Sequence, residues 1–131
     1  MAEGKVLTGA GLRGQVAGKT ALSTVGKSGA GLTYRGYDVQ DLAENCQFEE
    51  VAYLIFFGEL PTAEQLATYK AKLKSLRQLP QALKEVLERI PADSHPMDVM
   101  RTGVSMLGNL ETEKSFDQQQ DVADRILATL P

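Results

Sequence analysis

Nine of the twelve glycines lie within the first 37 residues, and beyond Leu42 only Gly58, Gly103 and Gly108 remain. Each glycine costs about 1 kcal/mol relative to alanine in a helix interior, so glycine at that density keeps a segment out of helices. The chain therefore divides into a glycine-rich opening and a helical remainder. Within the opening, Thr20-Ala-Leu-Ser-Thr-Val25 and Leu32-Thr-Tyr-Arg35 are rich in strand-favouring residues and flank Gly26-Lys-Ser-Gly-Ala-Gly31. That pattern predicts a small β-hairpin over residues 20–37, preceded by a flexible glycine-rich entry segment, residues 1–19.

From residue 38 to 131 the periodicity is helical. Asp38 is a good N-cap for a short helix to about Asn45, and a second helix over Phe48 to Phe57 should stop at Gly58. The second is apolar almost all round, so it should need cover on most faces. Thr62 and Gln65 have capping-box spacing and open a helix to about Arg77, with Leu66, Tyr69, Leu73 and Leu76 as its stripe. Lys70, Lys72, Lys74 and Arg77 read as a solvated basic face. Pro80 starts a helix carrying Leu83, Val86, Leu87 and Ile90, and Pro96 starts another through Leu107. In the latter, Thr102, Gly103 and Ser105 leave room for close helix contact. Ser115 and Gln118 repeat the capping-box spacing ahead of Val122, Ala123, Ile126, Leu127 and Leu130. The expected architecture is mainly α: a hairpin followed by a bundle of about six helices. Because the last apolar stripe runs to Leu130, the chain is expected to be a fragment truncated at 131.

Charge and rare residues narrow the function. Fourteen Lys plus Arg against seventeen Asp plus Glu give a net charge of −3, which would repel phosphate backbones and argues against a nucleic-acid partner. The one cysteine, Cys46, cannot form an internal disulfide, and with His95 the one histidine, Cys/His metal patterns are excluded. No signal-peptide core opens the chain, and the longest apolar run, Val51 to Phe57, falls short of the roughly 18 residues a membrane span requires. A cytoplasmic protein without a membrane partner is the expectation.

Short motifs yield little chemistry. Gly9-Ala-Gly11-Leu-Arg-Gly14 matches the dinucleotide fingerprint in form, but no strand precedes it and no helix follows. Gly18-Lys-Thr20 and Gly26-Lys-Ser28 lack the upstream glycine of a phosphate loop, where Arg13 and Ala21 stand instead. His95, just before Pro96, is placed to cap a helix rather than to act as a base. Cys46, between Asn45 and Gln47, has no neighbouring cation to stabilise a thiolate and reads as structural. The residues alone give a mainly helical domain without a complete catalytic constellation.

Three segments taken in order add a resemblance: ALSTVGKSGAGLTYRGYDVQDLAE ending at Glu44, FEEVAYLIFFGELPT ending at Thr62, and HPMDVMRTGVSMLG ending at Gly108. Together they resemble the amino-terminal part of the citrate synthase family, and TALSTVGKSG with HPMDVMRTGVS is most similar to its 2-methylcitrate synthase branch. The resemblance implies an all-α homodimeric enzyme that condenses propionyl-CoA with oxaloacetate and hydrolyses the thioester, releasing 2-methylcitrate and CoA. An ordinary citrate synthase fragment acting on acetyl-CoA is the alternative, as is a non-catalytic helical interaction module. It also implies that the catalytic aspartate and two histidines lie beyond this segment, so this chain holds no catalytic residue, no metal and no bound cofactor, acyl-CoA being a substrate. Arg13 in GLRG is similar in position to an arginine that some members place near the CoA phosphates; a simple solvent-exposed cation is the competing reading. The implied role is scaffolding, with the Met97 to Leu107 helix expected to help form a dimer interface.

Overall fold

The computed structural model describes residues 18–26 and 31–131. All but two residues of the entry segment, Arg13 included, fall outside the described residues. The chain forms two compact units, Met1–Leu60 and Pro61–Pro131.

In the first unit, β1 (Ser23–Val25) pairs antiparallel with β2 (Leu32–Tyr34), with Ser23 opposite Tyr34 and Val25 opposite Leu32. This is the expected hairpin, enlarged by a third strand, β3 (Tyr37–Asp38), that pairs Thr33 with Asp38 and Tyr34 with Tyr37. The β2–β3 turn explains the addition: Arg35 and Gly36 both have positive φ, 50° and 94°, the backbone twist that closes two-residue hairpins. A left-handed conformation costs a non-glycine residue about 1 to 2 kcal/mol. Arg35 offsets that cost through its side chain, whose Nη2 and Nε donate to the Ile55 carbonyl at 2.8 and 3.3 Å.

Ile55 belongs to α2 (Phe48–Phe57), so the arginine joins the sheet to a carbonyl in the last turn of a helix, where intrahelical donors run out. Between them, α1 (Val39–Asn45) is capped as expected by Asp38, whose Oδ1 accepts from the Gln40 amide at 2.8 Å. The amide of Gln47 donates to Glu50 at 2.7 Å, and Gly58 closes α2 in the left-handed region with φ 95°. Leu54 is wholly buried and is the centre of this unit, yet Phe48, Phe56 and Phe57 are exposed. The all-round apolar character of α2 is thus met by partial cover: Leu54 is buried, the residues on either side of it in 49–55 are half-buried, and the exposed phenylalanines stand at the two ends.

The second unit comprises α3 (Ala63–Ser75), α4 (Gln81–Leu87), α5 (Pro96–Leu110), a single 3-10 turn (Phe116–Gln118) and α6 (Gln119–Thr129). Thr62 and Gln65 form the reciprocal cap of α3: Gln65 Oε1 accepts from the Thr62 amide at 2.8 Å and Thr62 Oγ1 from the Gln65 amide at 3.3 Å. Ser115 and Gln118 do not repeat it. Ser115 makes no side-chain cap, and Gln118 Oε1 accepts from the Lys114 amide at 2.8 Å, because the 3-10 turn delays α6 to Gln119. Tyr69, Leu73, Leu83 and Leu107 are the buried hydrophobic centre.

Gly103 in α5 faces Leu87 at the end of α4, and a methyl group added there would lie 3.5 Å from Leu87 Cδ2, an ordinary van der Waals separation. Close approach is therefore real, but it does not exclude alanine. Replacing Gly103 with Ala is expected to raise stability by about 1 kcal/mol, the helix-propensity difference. Urea unfolding measures it, and a loss of stability would mean that the helices require the bare backbone.

Candidate functional site

The second unit's polar groups gather around α6. Tyr69 and Lys72 are three residues apart on α3 and so share a face. That face meets Asp124 of α6, which is completely buried. Asp124 Oδ1 accepts from the Tyr69 hydroxyl at 2.9 Å and from Gln120 Nε2 at 3.1 Å, and Oδ2 accepts from Lys72 Nζ at 2.7 Å. Lys72 also reaches the exposed Asp121 at 3.1 Å. Lys72 is thus no part of a merely solvated basic face: half-exposed, it neutralises a carboxylate whose burial would otherwise cost several kcal/mol. No buried side-chain nitrogen or oxygen among the described residues lacks a hydrogen-bond partner.

Next to Asp124, Arg125 holds three elements. Its Nε and Nη2 form a bidentate pair with Glu111 at 2.8 and 2.7 Å, its Nη1 donates to the Leu76 carbonyl, and Nη2 donates to the Gln78 carbonyl at 2.9 Å. Leu76 and Glu111 are the C-caps of α3 and α5, so one guanidinium serves two helix ends. Arg125 and Glu111 border an open cleft of about 590 Å³ whose apolar wall comprises Leu76, Val104, Leu107, Leu110, Val122 and Ile126.

The residues singled out in the sequence lie elsewhere. His95 Nδ1 accepts from the Met97 amide at 3.2 Å and caps α5, as its place before Pro96 predicted. Cys46 is half-buried, and burial followed by the nearby Glu50 carboxylate pushes its thiol pKa up, which keeps it in the weakly nucleophilic form. Arg13 lies outside the described residues. No cluster of three or more metal-ligating side chains occurs among the described residues. What the arrangement does chemically is fix helices; the Tyr69 and Asp124 pairing was missed because nothing local links residues 55 positions apart. A hint existed in Val122-Ala-Asp-Arg-Ile126, a carboxylate set inside an apolar stretch.

These bonds dictate a pH profile. Burial, then the bond to Asp124, raises the Tyr69 phenol, and the bond to Asp124 raises Lys72. Both contributions are complete below the unfolded values near about pH 10 and are lost as pH rises further. The bond from Arg125 holds Glu111 below its usual range, so its contribution is present above about pH 4.5 and is lost as pH falls through the lowered value. Stability should be flat between and decline on both sides. Tyr69→Phe should lower the plateau by about 1 to 3 kcal/mol and flatten the alkaline limb, while Glu111→Gln flattens the acid limb. Unfolding free energies across pH would reveal this; an unaltered alkaline limb in Tyr69→Phe would contradict the assignment.

Comparison with known proteins supplies the family. The profile described as "Citrate synthase, C-terminal domain" matches residues 11–131. The chain is 76% identical over its whole length to a 2-methylcitrate synthase of Shewanella oneidensis, of which it covers 35%, and 46% identical over 124 residues to 2-methylcitrate synthase 2 of Corynebacterium glutamicum, of which it covers 32%. It therefore spans about a third of the length of these curated relatives. Among solved structures, the citrate synthase of Thermoplasma acidophilum, in a ternary complex with carboxymethyl coenzyme A and oxaloacetate, superposes with a TM-score of 0.80 at 28% identity, covering 90% of this chain and 32% of that one. The citrate synthase of Thermotoga maritima gives 0.77 at 29% identity, covering 91% and 31%. With helices, small sheet and sequence in agreement, the chain belongs to the citrate synthase family.

Proposed function

We propose that this chain is the amino-terminal scaffold of a 2-methylcitrate synthase, an enzyme that joins propionyl-CoA to oxaloacetate and, with water, releases 2-methylcitrate and CoA. The observation that carries the reading is the 76% identity over 131 residues, the whole of this chain, to the Shewanella oneidensis protein of that name. A propionate-consuming role, a homodimeric assembly and a cytoplasmic setting accompany it; the free thiol of Cys46 suits a reducing compartment. A citrate synthase using acetyl-CoA is the second reading, supported by 46% identity over 107 residues to the citrate synthase of Mycolicibacterium smegmatis.

The scaffold's contribution is positional. The condensation needs a base to take a proton α to the thioester, a donor to stabilise the enol, and cations to hold oxaloacetate's carboxylates. In the described residues the arginine at the centre of the helical unit, Arg125, is already occupied by Glu111 and two carbonyls, and the histidine, His95, is a cap. The chain's share is then to support these groups from segments outside it. The α5 helix, with Met97 and Met100 exposed and Gly103 at a close contact, is the proposed dimer face. Arg13 is the candidate contact to a CoA phosphate, and alone it is too weak to hold CoA, since an exposed charge pair contributes only about 0 to 1 kcal/mol.

Two measurements of CoA release test this. The 131-residue chain alone should show no turnover above buffer with propionyl-CoA or acetyl-CoA and oxaloacetate; turnover lost in His95→Ala would overturn both the scaffold role and the capping role of His95. A chimera in which this chain replaces the matching segment of the Shewanella oneidensis enzyme should keep its rate with propionyl-CoA to within about threefold, a barrier change under about 0.7 kcal/mol. A folded chimera without activity, or one that prefers acetyl-CoA, would refute the 2-methylcitrate assignment.

A further inference from the structure

Phe116 is 81% exposed, the most exposed of the large hydrophobic side chains among the described residues. It stands on the connection from α5 to α6, and that connection borders the apolar cleft on both sides of it: Thr112, Glu113 and Lys114 before, Gln118 after. We propose that residues 112–118 form a strap that closes over the cleft and seats the Phe116 ring on its apolar wall, against Val104, Leu110, Val122 and Ile126.

Three observations carry this. The first is reach: Phe116 is two residues from Lys114 and two from Gln118, both at the cleft, and two residues of extended chain span at most about 7 Å. The ring can turn inward without moving α5 or α6. The second is the slightness of what holds the strap open. The 3-10 turn consists of three residues, its Ser115 makes no side-chain cap, and the bond from the Lys114 amide to Gln118 Oε1 is exposed. The third is that both ends are anchored, because Glu111 is clamped by Arg125 and α6 is fixed through Asp124. A weak segment between two firm ones, bearing an aromatic ring beside an uncovered apolar wall, has closure as its natural motion: it removes ring and wall from water together.

The chain contains no tryptophan, so Phe116→Trp provides a single reporter. Expected in the whole chain are an emission maximum blue-shifted from that of N-acetyltryptophanamide, acrylamide quenching at least twofold weaker, and no dependence of either on protein concentration. Adding Leu110→Asp, a change at an exposed residue of the wall, should return both signals to those of the free amide. Circular dichroism confirms that each variant is folded. Emission and quenching equal to the free amide would overturn the strap, as would protection that survives Leu110→Asp. Protection that grows with concentration would also overturn it, by making a second copy the cover.

Discussion

A carboxylate with no exposed surface has to be neutralised where it sits, and the helical unit is organised around one. Asp124 draws on a phenol and an ammonium from α3 and an amide from its own helix, so all three donors must be in register before the charge can be buried. Hydrophobic contacts between helices tolerate sliding, whereas this set of bonds accepts one alignment of α3 on α6. The stability gained is modest, since desolvation consumes much of the attraction. Definition of the packing is the larger effect.

Arg125 extends that order to the helix ends. A helix finishes with carbonyls that have no intrahelical donors, and burying such an end without partners is costly. By donating to the carbonyls of Leu76 and Gln78 and pairing with Glu111, the arginine satisfies the end of α3 while holding the end of α5. Arg35 does the corresponding work in the other unit, where its guanidinium meets the last turn of α2. Arg35 directs its donors at one backbone carbonyl, whereas Arg125 divides its donors between two backbone carbonyls and the Glu111 carboxylate.

Local features were legible in the sequence to the extent that their causes are local. Asp38, the Thr62 and Gln65 pair, His95 before Pro96, and Gly58 each govern a few adjacent residues, and each cap forms as its spacing indicates. The hairpin was visible for the same reason, while β3 was not, because it depends on Arg35 accepting a left-handed backbone for the sake of a bond to a residue 20 positions away. Ser115 and Gln118 show the converse: correct spacing, but a 3-10 turn in place of a first helical turn. The buried cluster was illegible because Lys72 and Asp124 look like ordinary surface charges until the fold brings these residues, 52 positions apart, together. Family motifs such as YRGYD and HPMDVMRTG added what periodicity could not, the family to which the chain belongs.

A double-mutant cycle between Lys72 and Asp124, using Lys72→Met and Asp124→Asn with unfolding free energies for both singles and the double, probes the organising interaction most directly. A coupling of about 1 to 2 kcal/mol is expected, reduced from that of a fully buried pair because Lys72 is half in water. Additive effects, agreeing to within about 0.5 kcal/mol, would show that α3 and α6 are held by their apolar contacts alone and that Asp124 does not set their alignment.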